Sequence, residues 1–247
     1  MFRFIYSKEA HSLSIGEKLV EELGVHSVFT IGSFTISESI VNTWILLLII
    51  MLACVILTRG LSVENPGKRQ VAVESFVTWI QTLIKNMLGE NAAVYTDYIC
   101  AVLVFIGISN LSAIFETKLT ENFTFLKPAT KDLSVTAALA LMTILLVIFT
   151  GLKYKGPGGY AKSFTQPMAI VTPLNIIEIF TKPLSLCMRL FGNIFGGFVI
   201  MELIKLNVPV IVPIPFSCYF DIFDGLIQAY VFVFLTCIYL SEAAETE

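Results

Sequence analysis

The sequence predicts an all-α integral membrane protein of about five membrane helices plus one amphipathic surface helix, with the last two membrane helices long, strongly tilted and paired as a hairpin. Composition is the first ground. Of 247 residues, 56% are hydrophobic and 14% charged, where an average soluble chain has about a quarter of its residues charged, and mean hydropathy is +0.82. The second ground is the clustering of apolar residues into runs at 41–58, 98–115 and 133–151, each near the roughly 20 residues that cross a bilayer core as helix. The third is that two C-terminal apolar stretches are longer than a crossing requires.

The expected organisation is an N-terminal polar segment at 1–39, peripheral membrane helices at 40–152, a loop at 153–172 and the helix hairpin at 173–247. The first segment carries Glu9, Glu17, Glu21 and Glu22 among scattered apolar residues, unlike the basic start and short apolar run of a cleavable secretory leader. After the first span, Asn65-Pro66-Gly67 makes a turn. Residues 68–88 then place Phe76, Val77, Ile80, Leu83, Ile84 and Met87 on one helical stripe, with Gly89 as a stop. Lys68, Arg69, Glu74 and Lys85 lie off that stripe, so this helix is expected to lie on the membrane or against a partner helix, with spanning as the alternative.

Residues 116–132 and 153–166 read as loops, the latter through Gly156-Pro157-Gly158-Gly159. Thr172-Pro173 offers a capping hydroxyl followed by proline at the first helical position. The helix it starts runs to about Leu206, where Pro209, Pro213 and Pro215 break the chain before a final helix at 216–243. As helices these two measure about 50 Å and about 40 Å, against a hydrocarbon core of about 30 Å. Both overshoot, which predicts tilt or a kink, with Pro183 a candidate kink.

Several function classes fall away on composition. Formal net charge is −3 and pI is near 5.5, so no basic surface suits nucleic acid; lipid and other membrane proteins are the expected partners. The five cysteines (Cys54, Cys100, Cys187, Cys218, Cys237) sit in apolar segments without metal-site spacing. No nucleotide-binding glycine loop is present. Neither a metal nor a cofactor is expected, nor bond-making chemistry on this chain. Lysine and arginine are spread too evenly for the positive-inside rule to fix orientation.

The strongest physical signal is Arg189, flanked by Leu184-Ser185-Leu186-Cys187-Met188 and Leu190-Phe191. An arginine near mid-helix in a membrane costs at least about 2.5–3.5 kcal/mol to insert. The competing explanations are a structural ion pair or snorkelling to the interface. At about 100° per residue, Glu178, Lys182, Ser185, Arg189, Asn193 and Gly196 fall within about 40° of one line. Gly192, Gly196 and Gly197 remove side chains beside the arginine and admit another helix, from this chain or a different one. Glu202 lies about 140° away around the same helix. On the final helix Asp221, Asp224 and Gln228 form a second polar stripe, continued by Tyr239, although the two aspartates would also suit the lipid headgroups. Two polar tracks separated by a fixed positive charge suit two partial access paths that meet through a mobile negative charge.

The run Lys182-Pro183-Leu184-Ser185-Leu186-Cys187-Met188-Arg189-Leu190-Phe191-Gly192-Asn193 is similar to the signature of subunit a of F-type ATP synthases. Gly225-Leu226-Ile227-Gln228-Ala229, followed by Leu235-Thr236-Cys237-Ile238-Tyr239-Leu240, resembles that family's last helix. The detailed likeness covers about residues 172–242. It implies a membrane stator facing a rotor ring of c subunits, held by peripheral stalk b subunits within the F0F1 complex; the short tails and the lack of a transit leader suit the plasma membrane of a bacterium, with an organellar membrane as the alternative. The hairpin would carry the ion pathway for protons or sodium. Arg189 would be the essential stator charge, Asn193 and Gln228 would line the interface beside it, and Ser185, Gly192 and Gly196 would pack towards the ring. Glu178 would border the access path on the soluble-motor side, and Tyr239 would sit towards the far end of the last helix. The chain departs from the pattern at Phe198, where many relatives are ionisable; Glu202 stands in for it on this reading, with Asp221 and Asp224 completing the opposite path. The rival expectations are a self-contained secondary transporter for a small anionic substrate and a purely structural scaffold.

Overall fold

The structure is a computed structural model that describes residues 27–31, 34–63, 66–90, 92–113, 128–165, 169–207, 215–216 and 218–245. A short antiparallel ribbon, β1 (Ser27–Ile31) with β2 (Phe34–Ser37), precedes the helices. The bundle itself is helical throughout. It comprises α1 (Glu38–Thr58), α2 (Lys68–Leu88), α3 (Thr96–Leu111), α4 (Leu133–Ser163), α5 (Thr172–Asn207) and α6 (Gly225–Ala244). Among the described residues, five segments are long and apolar enough to cross a membrane: Ile40–Thr58, Ala93–Leu111, Leu133–Tyr160, Thr172–Met201 and Cys218–Ala244. These match the expected count, and α2 supplies the amphipathic sixth.

Local chemistry sets the boundaries. Gly89 takes φ 69°, which an L side chain resists, and its N–H caps α2 on the Lys85 carbonyl at 3.2 Å. The Asp132 carboxylate caps α4 by accepting from the Ser134 N–H at 2.8 Å. The stripe foreseen on α2 is buried only in part: Ile80 and Ile84 are buried, as is Leu88 outside the stripe, whereas Phe76 and Val77 are exposed. That helix therefore lies against α3 and α6. Residues 114–127, most of the expected linker at 116–132, lie outside the described residues.

The expected loop at 153–172 is corrected by the structure. Helix continues from Leu133 to Ser163, interrupted at Gly156 (φ 69°, ψ 165°), and Pro157 opens the second helical piece. Proline suits a first helical position because its missing N–H would have had no partner there. The second piece folds back so that the Tyr160 ring lies over Gly151, where an added Cβ would stand 2.5 Å from a ring carbon. A short 3-10 turn, Ala169–Val171, leads into α5, which begins at Thr172 as expected and runs through Pro183 without interruption.

At the centre stands α6, in contact with α2, α3, α4 and α5. Lipid tails are as apolar as leucine, so helices here are held by close packing and polar contacts more than by exclusion of water. The core matches that demand, with Ala140, Cys187, Ala229, Cys237 and Ala244 letting backbones approach between larger residues such as Ile84, Leu190 and Leu240. One polar knot pins the start of α6. Asn110, 3% exposed, donates to the Gly225 carbonyl at 2.8 Å and accepts from the buried Thr130 hydroxyl at 2.7 Å. A Cβ on Gly225 would meet the Asn110 Cβ at 3.0 Å, so glycine is what admits the knot. By contrast only 11% of α1's apolar window is buried, against 39% for α6, which leaves α1 as a peripheral helix.

Candidate functional site

Helices α5 and α6 run antiparallel and meet at three polar rungs. In the first, the Lys182 ammonium lies 3.0 Å from Glu242 Oε2 and 3.4 Å from Glu178 Oε2, and 5.1 Å from the centroid of the Tyr239 ring. In the second, the Gln228 amide donates to the Arg189 carbonyl at 2.6 Å. In the third, the Asn193 amide donates to the Asp224 carboxylate. Each rung has a local cause. Glu178 and Lys182 stand one helical turn apart, the spacing that lets opposite charges meet. Asp224 closes a π-helical turn, Cys218–Asp224, that leads directly into α6, and Gln228 follows one turn later within that helix; such wide turns are frequent at functional sites.

The second rung divides two polar zones. On one side, Lys155, Asn175, Glu178, Lys182, Tyr239 and Glu242 line a cavity of about 280 Å³, closed laterally by the folded-back piece of α4 that carries Tyr160. On the other side are Asn193 and Asp224. Glu202 and Asp221 belong to the same stretch of chain, in α5 and in the π-helical turn, but their side chains, like that of Phe198, lie outside the described residues.

Arg189 is held by its backbone, not by its head group. Leu186, Cys187 and Leu190 turn into the bundle, while Ser185, Arg189 and Gly192 are exposed on its outer side. Among the described residues, no carboxylate meets the guanidinium. Among the described residues, nothing outside the local helix lies within 4 Å of where a Cβ on Gly192 or Gly196 would stand; Gly197 instead packs on Phe220 at 3.5 Å. Of the glycines expected to admit a second helix, two thus face open space and one serves packing within the chain.

Sequence reasoning passed over Glu242, which anchors Lys182, and Lys155, whose ammonium donates to the Glu242 carbonyl at 3.2 Å. The signal for Glu242 was present. It lies 14 residues after Gln228, which at about 100° per residue returns it to within about 40° of the same line.

Comparison with known proteins fits this architecture. The family model described as ATP synthase A chain matches residues 40–241. The chain is 35% identical over 214 residues to ATP synthase subunit a of Moorella thermoacetica, covering 87% of this chain and 94% of that one. It is 32% identical over 214 residues to the sodium-ion-specific ATP synthase subunit a of Propionigenium modestum, covering 84% and 74% of the two chains. A third relative, ATP synthase subunit a 2 of a Bradyrhizobium species, is 32% identical over 216 residues, covering 87% and 92%. Because the family match takes in the apolar core of all six helices and the three relatives align over most of both chains, this protein belongs to the ATP synthase A chain family as a multi-pass membrane subunit.

Proposed function

We propose that this chain is the ion-translocating stator of a rotary F-type ATP synthase in a bacterial plasma membrane, and that α5 faces a rotor ring of c subunits at Arg189. The observation that carries the reading is the exposed guanidinium. An arginine turned outward at mid-membrane with no counter-charge among the described residues is costly, of order 2.5–3.5 kcal/mol even on the most lenient scale, and a ring carboxylate arriving at that face would relieve it. Ser185, Gly192 and Gly196 leave a smooth strip on which a foreign helix can slide. The guanidinium favours the ionised form of each passing carboxylate, so that a carboxylate releases its cation on one side and reloads on the other.

The cavity bordered by Glu178, Lys182, Tyr239 and Glu242 is then the access path on the soluble-motor side. Asp224, with Glu202 and Asp221, forms the opposite path, Glu202 standing in for the ionisable residue absent at Phe198. The rung of Gln228 on the Arg189 carbonyl closes the direct route between them and keeps the ion from leaking across. Peripheral stalk b subunits would hold the bundle against the ring, and the likeness to a sodium-specific relative makes sodium a candidate beside the proton.

The test is Arg189→Ala in the assembled complex. ATP-driven ion pumping into liposomes is expected to vanish while assembly and ATP hydrolysis by the soluble part persist. Normal coupled pumping by this variant would end the proposal, and substrate flux through the purified chain alone would favour a self-contained transporter.

A further inference from the structure

The cavity holds a feature that ion passage alone does not call for: a lysine seated where a free cation would sit. The Lys182 ammonium contacts one oxygen from Glu178 and one from Glu242 at 3.4 and 3.0 Å, and lies over the Tyr239 ring at 5.1 Å. Two carboxylate oxygens and an aromatic face are ligands for a cation. The lysine side chain is 21% exposed, whereas those of Glu178 and Glu242 are 44% and 60% exposed, so the ammonium sits deepest and the carboxylates face the opening. With Lys155 at the rim, the four charged groups lining the cavity sum to zero.

We propose that Lys182 is a tethered cation that fills the position between these two carboxylates and thereby keeps the cavity passable. A travelling monovalent ion crosses a neutral, polar chamber and finds no vacant carboxylate pair to hold it. Without the ammonium, two carboxylates would converge on an empty position, and oxygen donors of that kind retain a hard divalent ion in preference to a monovalent one. Lys182 is on this view a specificity-determining residue and Glu242 its positioning residue. The inference rests on the reading of the cavity as an access path, and the experiment separates the two.

The complex carrying Lys182→Gln, purified and reconstituted, is probed with Ca²⁺ alone. Equilibrium binding of radioactive Ca²⁺ should reveal one site more than in the unaltered complex, and adding Glu242→Gln to the same chain should abolish it. ATP-driven pumping by Lys182→Gln should be half-inhibited at a Ca²⁺ concentration at least about tenfold below that for the unaltered complex. Absence of the extra site overturns the role of Lys182. An extra site that leaves pumping untouched upholds that role and overturns the access-path reading instead. Where Lys182→Gln does not assemble, Glu242→Gln alone carries the test. It leaves two ammoniums against one carboxylate, so the half-saturating concentration of the pumped cation should rise about fivefold; an unchanged half-saturation would overturn the proposal.

Discussion

Replacing Asn110 by alanine tests whether the start of α6 is fixed by a buried polar knot. The side chain is 3% exposed and Thr130 fully buried, so no water or lipid headgroup can replace the lost amide. The Gly225 carbonyl keeps an acceptor role inside α6, and losing the Asn110 donor there should cost about 0.6 kcal/mol, the average for interhelical bonds in membranes. The Thr130 hydroxyl fares worse, since it becomes an unsatisfied buried donor worth about 1–3 kcal/mol. Together these give a destabilisation of about 1.6–3.6 kcal/mol, readable by equilibrium unfolding in mixed detergent micelles. Adding Thr130→Val removes the orphan hydroxyl and should recover about 1 kcal/mol. A loss below about 0.5 kcal/mol, or a double variant no more stable than the single, would refute the idea that these two bonds position the helix.

Three further outcomes are expected. Gly192→Leu meets open space within the chain, so the purified subunit should keep its unfolding midpoint within about 0.5 kcal/mol, while pumping by the assembled complex falls sharply; equal pumping would leave the outer face of α5 without a moving partner. Gln228→Leu removes the donor to the Arg189 carbonyl and should slow pumping about tenfold, the equivalent of one hydrogen bond of about 1.4 kcal/mol, in a complex of normal subunit composition. Gly151→Ala places a methyl group against the Tyr160 ring and should destabilise the chain by about 1–3 kcal/mol. Tyr160→Ala in the same chain should relieve most of that penalty, and thermal melts of the single and double variants would show it.

What could be read from the sequence was what depends on neighbours in the chain. Hydropathy located all five apolar helices, and Thr172-Pro173 and Gly89 marked boundaries because a cap is a local device. The fold-back at Gly156 escaped because four turn-forming residues in a row resemble an open loop. Yet Pro157 opens a helix for the same reason that Pro173 does, and the positive φ of Gly156 is what lets two helical pieces abut. The paired strands Ser27–Ile31 and Phe34–Ser37 were hidden in a stretch read only for its charges. In the site, the outward stripe of Ser185, Arg189, Gly192 and Gly196 followed from helical periodicity. Which residue of α6 met which residue of α5 did not, because helix pairing depends on long-range packing that no single stretch encodes. Once Gln228 is set against Arg189, the pairing of Asp224 with Asn193 follows from the antiparallel direction, and so does the placing of Glu242 beyond Lys182.

The central position of α6 bears on mechanics as well as on packing. A push delivered sideways to Arg189 reaches the main chain of α5, passes through the Gln228 amide, and spreads into α2, α3 and α4, all of which α6 touches. An anchorage of that kind lets one exposed side chain resist a tangential load without bending its own helix away. On the proposed stator role, rigidity at that one crossing would set how faithfully displacement of a neighbouring body is turned into torque, and how little of it is dissipated in the wall that stands still.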